Sequence, residues 1–242
     1  MKKKYLVLIL TIALLAVAII GGTLASNIAE SESATVSISE KSLGVDIINE
    51  SNLVMDEETI GGDMKWMPGS LIDDGKEDKV NYAIMNQEKN SYDIYAQVII
   101  YMDWVDKNGN EVLPENDDYS LFFENIFFEG ENGEEAIPLV SSYEESKICG
   151  NWIVTHNDLH QVVLYYTKPL TEGMSSDAFL TNVKLSTKLD NSQKDNHLSI
   201  DMKVKAVQAN NSDAAIAAEW GVFPVYGEDG TTLVGISETS TR

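Results

Sequence analysis

The sequence predicts an all-β protein: a jelly-roll-like or Ig-like β-sandwich with one short C-terminal helix, preceded by an N-terminal signal peptide. Three observations carry this. Apolar residues alternate with hydroxyl residues in Ala34-Thr35-Val36-Ser37-Ile38-Ser39, and a period of two marks a half-buried strand. Tyr92–Trp104 gathers Tyr92, Ile94, Tyr95, Val98, Ile99, Ile100 and Tyr101, the β-branched and aromatic residues that suit a pleated surface. Turn signals built on Asn, Asp and Gly recur between many short strand-like runs, as in sandwiches and jelly rolls.

The elements follow in order. Lys2, Lys3 and Lys4 precede an apolar run from Tyr5 to Ile20, and Gly21-Gly22-Thr23-Leu24-Ala25 closes it. A basic start, a short apolar core and a small-residue exit predict a secretory signal peptide over 1–25, cut between Ala25 and Ser26. Gly21-Gly22 breaks the helix where a peptidase needs extended chain. The alternative is an uncleaved N-terminal anchor, which would then be the chain's sole membrane contact. Residues 26–242 read as a single β-sandwich domain. Ser26–Ser33 is polar, and Ala34–Ser39 reads as the first strand or as a donor strand at the end of a tail. Leu43–Ile48 reads as a short strand and the acidic Asn49–Gly75 as a long loop. Lys79–Met85 and Tyr92–Trp104 read as strands joined by a hairpin or crossover at Asn86–Ser91. Asp106-Lys107-Asn108-Gly109-Asn110 reads as a turn into Glu111–Leu113.

Leu121-Phe122-Phe123 and Ile126-Phe127-Phe128 require burial. Asn151–Thr155 and Gln161–Tyr166 read as a hairpin around His156-Asn157-Asp158. Ala178–Thr187 and Leu198–Val207 read as two further strands linked by the polar Asp190–Asn196, and Ala214–Trp220 as the short helix.

Composition narrows the function. The formal charge is −22 over 242 residues, and hydrophobic residues make up 43%. Such a chain buries a sizeable core, while its charge repels phosphate backbones and anionic lipid heads, which argues against nucleic-acid and peripheral-membrane roles. Arg242 is the only arginine, so the folded body lacks the bidentate guanidinium that recognises phosphate or carboxylate. Cys149 is the only cysteine. An exported domain without a disulfide is held by its core alone, and this pairing of features suits a bacterium with a single membrane.

His156, Asp158 and His160 form the one cluster of metal-ligating residue types at regular spacing. On a regular strand these positions share a face and converge on zinc or copper. Asn157-Asp158 is a turn signal, however, and a solvated hairpin tip splays the same side chains. Asp106, Asn108, Asn110 and Asp117 loosely follow a calcium loop, but Glu111 stands where glycine is required and Asp117 where glutamate is. Between Asn108 and Ser146 eleven carboxylates occur without a Lys or Arg. Such a run is a solvated face or a weak calcium site. Cys149 with a histidine would make a nucleophilic pair, yet nothing nearby marks an activated thiol. No Gly-x-Ser-x-Gly, His-Glu-x-x-His or phosphate-cradling glycine loop is present. No resident cofactor is expected, and weak calcium or zinc binding is the exception the residues allow.

The chain resembles the TasA/camelysin-like exported proteins of Gram-positive bacteria, which carry alternate signal peptides cut by a SipW-type signal peptidase. Gly21-Gly22-Thr23-Leu24-Ala25 looks like the family's signal exit. Met67-Pro68-Gly69-Ser70 followed by Val80–Asn86 looks like its Pro-Gly segment and strand. Asn151-Trp152, Tyr165-Tyr166-Thr167-Lys168-Pro169-Leu170, Gly173, Val183, Lys205–Asn210 and Ala214–Trp220 follow the family's order. Ser26-Asn27-Ile28-Ala29 follows Ala25 where the family often has an aromatic. The resemblance implies an extracellular jelly-roll-like sandwich. The family's members include matrix proteins that form fibres by donor-strand exchange through the mature N-terminus; here the alternating stretch would donate Ala34, Val36 and Ile38. Camelysin itself is classed as a metallopeptidase, and this chain has no ligand motif to carry that activity.

The expected function is therefore a secreted structural or adhesive protein of the cell surface or biofilm matrix, self-associating by strand addition. One alternative is a metal-dependent surface peptidase using His156, Asp158 and His160. The other is a monomeric extracellular binding module.

Overall fold

A strand with apolar residues at every second position has one face to bury, and most of this chain solves that problem by pairing such strands into two layers. The computed structural model describes residues 45–48, 69, 71, 81–87, 92–106, 108, 110–189 and 196–239. The signal segment with Thr23, Leu24, Ala25 and Ser26, the alternating stretch with Ala34, Val36 and Ile38, and nearly all of the long acidic loop after Ile48 lie outside them.

The order begins with β1 (Val45–Ile48) and β2 (Ala83–Asn86), an antiparallel pair. β3 (Ile94–Val105) follows in the other layer, so the link after Asn86 is a crossover. β4 (Phe123–Gly130) and β5 (Gly133–Ala136) form a hairpin. β6 (Lys147–Cys149), β7 (Trp152–Asn157) and β8 (Gln161–Tyr166) form a meander. β9 (Asn182–Leu185) and β10 (His197–Gln208) pair in different layers. The chain closes with α1 (Ser212–Trp220) and the hairpin of β11 (Phe223–Tyr226) and β12 (Leu233–Ser237).

The first sheet has five antiparallel strands in the order β10-β3-β8-β7-β6. The second layer has β5-β4-β9. The stretch just before β9 extends it to β2, because Tyr82 N donates to Leu180 O, Phe179 N donates to Tyr82 O, and Ser176 N donates to Ile84 O. The two layers therefore enclose one core. Ile94, Ala96, Val98, Ile100, Met102 and Trp104 of β3 face Ile126, Phe128, Phe179, Val183 and Leu185 of the other layer, all buried. This is an all-β sandwich with one short helix among the described residues. The aromatic run expected to need burial supplies it: Phe122, Phe123, Ile126 and Phe128 are interior, and Leu121 and Phe127 are half-buried. Trp104 stacks on Phe122 with ring centroids 5.8 Å apart.

A third layer was not foreseen. Tyr95, Ile153, Val163, Tyr165 and Val207 form an apolar patch on the outer face of the first sheet, and Ile216, Trp220, Val222, Leu233 and Ile236 of the C-terminal unit cover it. Leu233 N donates to Thr167 O at 2.8 Å and the Tyr95 hydroxyl donates to Thr231 O, tying the hairpin to β8 and β3. Gly221 ends α1 at φ +69°, the left-handed turn that glycine adopts without a side-chain clash.

Candidate functional site

Among the described residues the C-terminal unit does not reach the other end of that outer face, and Asp103, Glu111 and His160 come together there. Asp103 sits on β3 with Tyr101, two residues away and on the same face. Beyond β3 the chain turns through Asp106, whose carboxylate accepts the N–H groups of Asn108 at 2.8 Å and Asn110 at 2.9 Å. The Asn110 backbone N–H, with the Asn110 side chain and Asn108, holds the Asp106 carboxyl at about 2. The turn brings the chain back antiparallel, with Asp106 N donating to Asn110 O and Val112 N to Trp104 O. Glu111 is thus set opposite Val105, on the face that also carries Asp103.

His160 arrives from the β7–β8 turn. A bulge between Val154 and His156 breaks the alternation of β7, and Leu159 takes φ +74°. Asn157 pays for that turn locally: its Oδ1 accepts Leu159 N, and its Nδ2 donates to Ile137 O and Pro138 O. Asp158 Oδ1 accepts the N–H groups of His160 and Gln161. Burial alone would raise the Asp158 carboxyl, but those two N–H groups and neighbouring His156 outweigh it and hold it below the usual range. The His160 carbonyl accepts Met102 N at 2.8 Å, which docks the turn beside Asp103.

The result is a compact polar group. His160 Nε2 lies 3.0 Å from Asp103 Oδ1. One ligand-type atom from each of Asp103, Glu111 and His160 falls within 4.8 Å of the others. The Tyr119 ring lies flat on the imidazole, with centroids 4.3 Å apart and planes within 5°, and Tyr101 approaches it edge-on. The Tyr119 hydroxyl reaches Glu111 Oε1 at 3.4 Å. Its burial, and then the Glu111 charge, push its pKa to about 12. Tyr119 is placed by a 3-10 turn, Tyr119–Leu121, which Asp118 caps by accepting Ser120 N.

The expected trio of His156, Asp158 and His160 is thus divided. His156 Nε2 pairs with Asp158 Oδ2 at 3.3 Å, while His160 turns to Asp103 on the adjacent strand. The bulge and the left-handed Leu159 are the cause, since both end the regular period that would keep the three on one face. Asp103 and Glu111 escaped notice because nothing in a sequence indicates which residue a turn fifty-seven positions away will meet. Cys149 ends β6 half-buried against the core, and burial pushes its thiol up, the opposite of an activated nucleophile.

Fold and site together define a three-layered β-sandwich protein with a carboxylate-histidine group at the end of the first sheet away from its C-terminal unit. No protein-family model, curated protein or solved structure matches the chain. Among the described residues no helix is long and apolar enough to cross a membrane.

Proposed function

We propose that this protein is exported and serves as a structural or adhesive subunit of a Gram-positive cell surface or extracellular matrix, assembling by strand addition after a SipW-type peptidase cuts at Ala25. One observation carries the reading. β10, twelve residues long, forms an edge of the first sheet, and from Leu198 to Lys203 no strand pairs with its far side among the described residues. An exposed long edge is a template for another strand.

The pattern of the donor matches that edge. β10 turns Leu198, Ile200, Met202 and Val204 toward the core and Ser199, Asp201 and Lys203 outward. Ala34, Val36 and Ile38 alternate with Thr35, Ser37 and Ser39 in the same sense, so a strand added there would extend both faces. The resemblance to TasA/camelysin-like proteins supports the same reading, as do the basic-apolar-small N-terminus and the absence of a disulfide.

The test compares chain 26–242 with a version lacking 26–39, by electron microscopy and by size-exclusion chromatography at high concentration. Fibres or large oligomers from the first and monomers from the second are expected. If both are equally monomeric, strand addition fails and a monomeric binding module takes its place.

A further inference from the structure

We propose that Asp103, Glu111 and His160 bind a first-row transition-metal dication, with zinc as the natural probe. Three segments deliver the ligands, and backbone hydrogen bonds fix each of them before any ion arrives: β3 carries Asp103, the return after the Asp106 turn carries Glu111, and the β7–β8 turn carries His160. One ligand-type atom from each residue already lies within 4.8 Å of the other two. Zinc bonds to imidazole nitrogen and carboxylate oxygen at about 2.0–2.2 Å, so its tetrahedral ligand atoms stand roughly 3.4 Å apart. The Asp103–His160 separation of 3.0 Å is near that value. Glu111 is the exposed member, and its Oε1 accepts a long 3.4 Å contact from the Tyr119 hydroxyl.

The donor set selects the metal. Calcium and magnesium prefer oxygen throughout, whereas one imidazole with two carboxylates suits zinc and its first-row neighbours. Two ionised carboxylates balance the dication. His160 Nε2 now faces the Asp103 carboxylate; in a loaded site the same nitrogen would face the metal. The flat Tyr119 ring holds the imidazole plane for this. Three protein ligands leave a position for water, but the ion's main effect here is to pin the 106–121 segment and the β7–β8 turn to β3. The proposal stands independently of strand addition.

The experiment is isothermal titration of the purified protein with Zn2+ alone, alongside thermal melting with and without the ion. One equivalent per chain and a raised melting temperature are expected. Glu111→Gln and His160→Gln should each weaken binding by about tenfold or more, on the scale seen when a metal's supporting shell is disturbed. His156→Gln should bind as the unmodified protein does. Glu111 is exposed, so its variant keeps the test decisive if His160→Gln does not fold. Absence of stoichiometric zinc, or unchanged affinity in Glu111→Gln, overturns the proposal. So does a loss in His156→Gln as large as that in His160→Gln, which would move the site to the hairpin tip.

Discussion

The outer face of the first sheet is one surface with two ends, and β3, β8 and β10 contribute to both. At one end Tyr95, Ile153, Tyr165 and Val207 are buried beneath α1 and the β11–β12 hairpin. At the other end Tyr101, Asp103 and Gln161 stay partly open to solvent, as do Asp201 and Lys203. Lys203 there rests its ammonium 5.7 Å from the Tyr101 ring centre. β3 and β10 pair continuously through both ends, so the residue types on alternate positions decide whether a third layer forms. Apolar area removed from water drives the covering of one end, and charges that need water keep the other bare.

Replacing the covered end should have the largest effect. Ile216→Ala removes a fully buried side chain from the contact between α1 and the sheet, and a loss of about 3 kcal/mol is expected, read by urea denaturation. Trp220→Ala, which loses the packing of Trp220 on Tyr165, should fall in the same range. If both cost less than about 1 kcal/mol, the third layer is an accessory and the comparison collapses.

Gly221→Ala tests the same layer without touching its contacts. A Cβ there would meet nothing within 4 Å, so only the left-handed backbone objects, and about 1 kcal/mol is expected. Acid tests both ends at once. Asp106 lies beyond the open end, and Asp229 turns the hairpin of the covered end, where the Thr232 hydroxyl, its N–H and the Thr231 N–H hold it at about 2. Both carboxyls start from an ordinary 3.8. A folded pKa below the unfolded one contributes stability above the unfolded value, and this is lost as pH falls toward the folded value. Melting temperature should therefore decline as pH drops from about 4 to about 2, and in Asp229→Ala the decline should be shallower. An equally steep decline in that variant would remove Asp229 from the account. The smallest effect belongs to Lys203→Ala at the open end, within about 0.5 kcal/mol by the same denaturation assay.

Much of the layering was legible. β10 announces itself by alternation over a long run, β3 and β8 by their β-branched and aromatic residues, and the Asp106 turn by its Asp, Asn and Gly residues. The strand after Gln161 and the helix before Gly221 fall where the patterns place them. β5, β6, β11 and β12 were not legible, because three to five residues carry too little period to stand out. Nor was the grouping of His160 with Asp103 and Glu111. Local turn chemistry predicted that the hairpin tip would splay its side chains, and it does, but the partner His160 finds belongs to a different hairpin.

By itself, then, the amino-acid sequence determined that the chain would form half-buried strands, where the longer of them would lie, and that one short helix would come near the end. Those properties depend on neighbours along the chain, through side-chain period and turn geometry. The tertiary structure alone decided which strands lie side by side, that the C-terminal unit covers one end of a sheet, and that three ligand-type residues meet at the other. Backbone pairing joins any strand to any other with the same N–H and C=O groups, so those choices were left to the burial of apolar area across the whole fold.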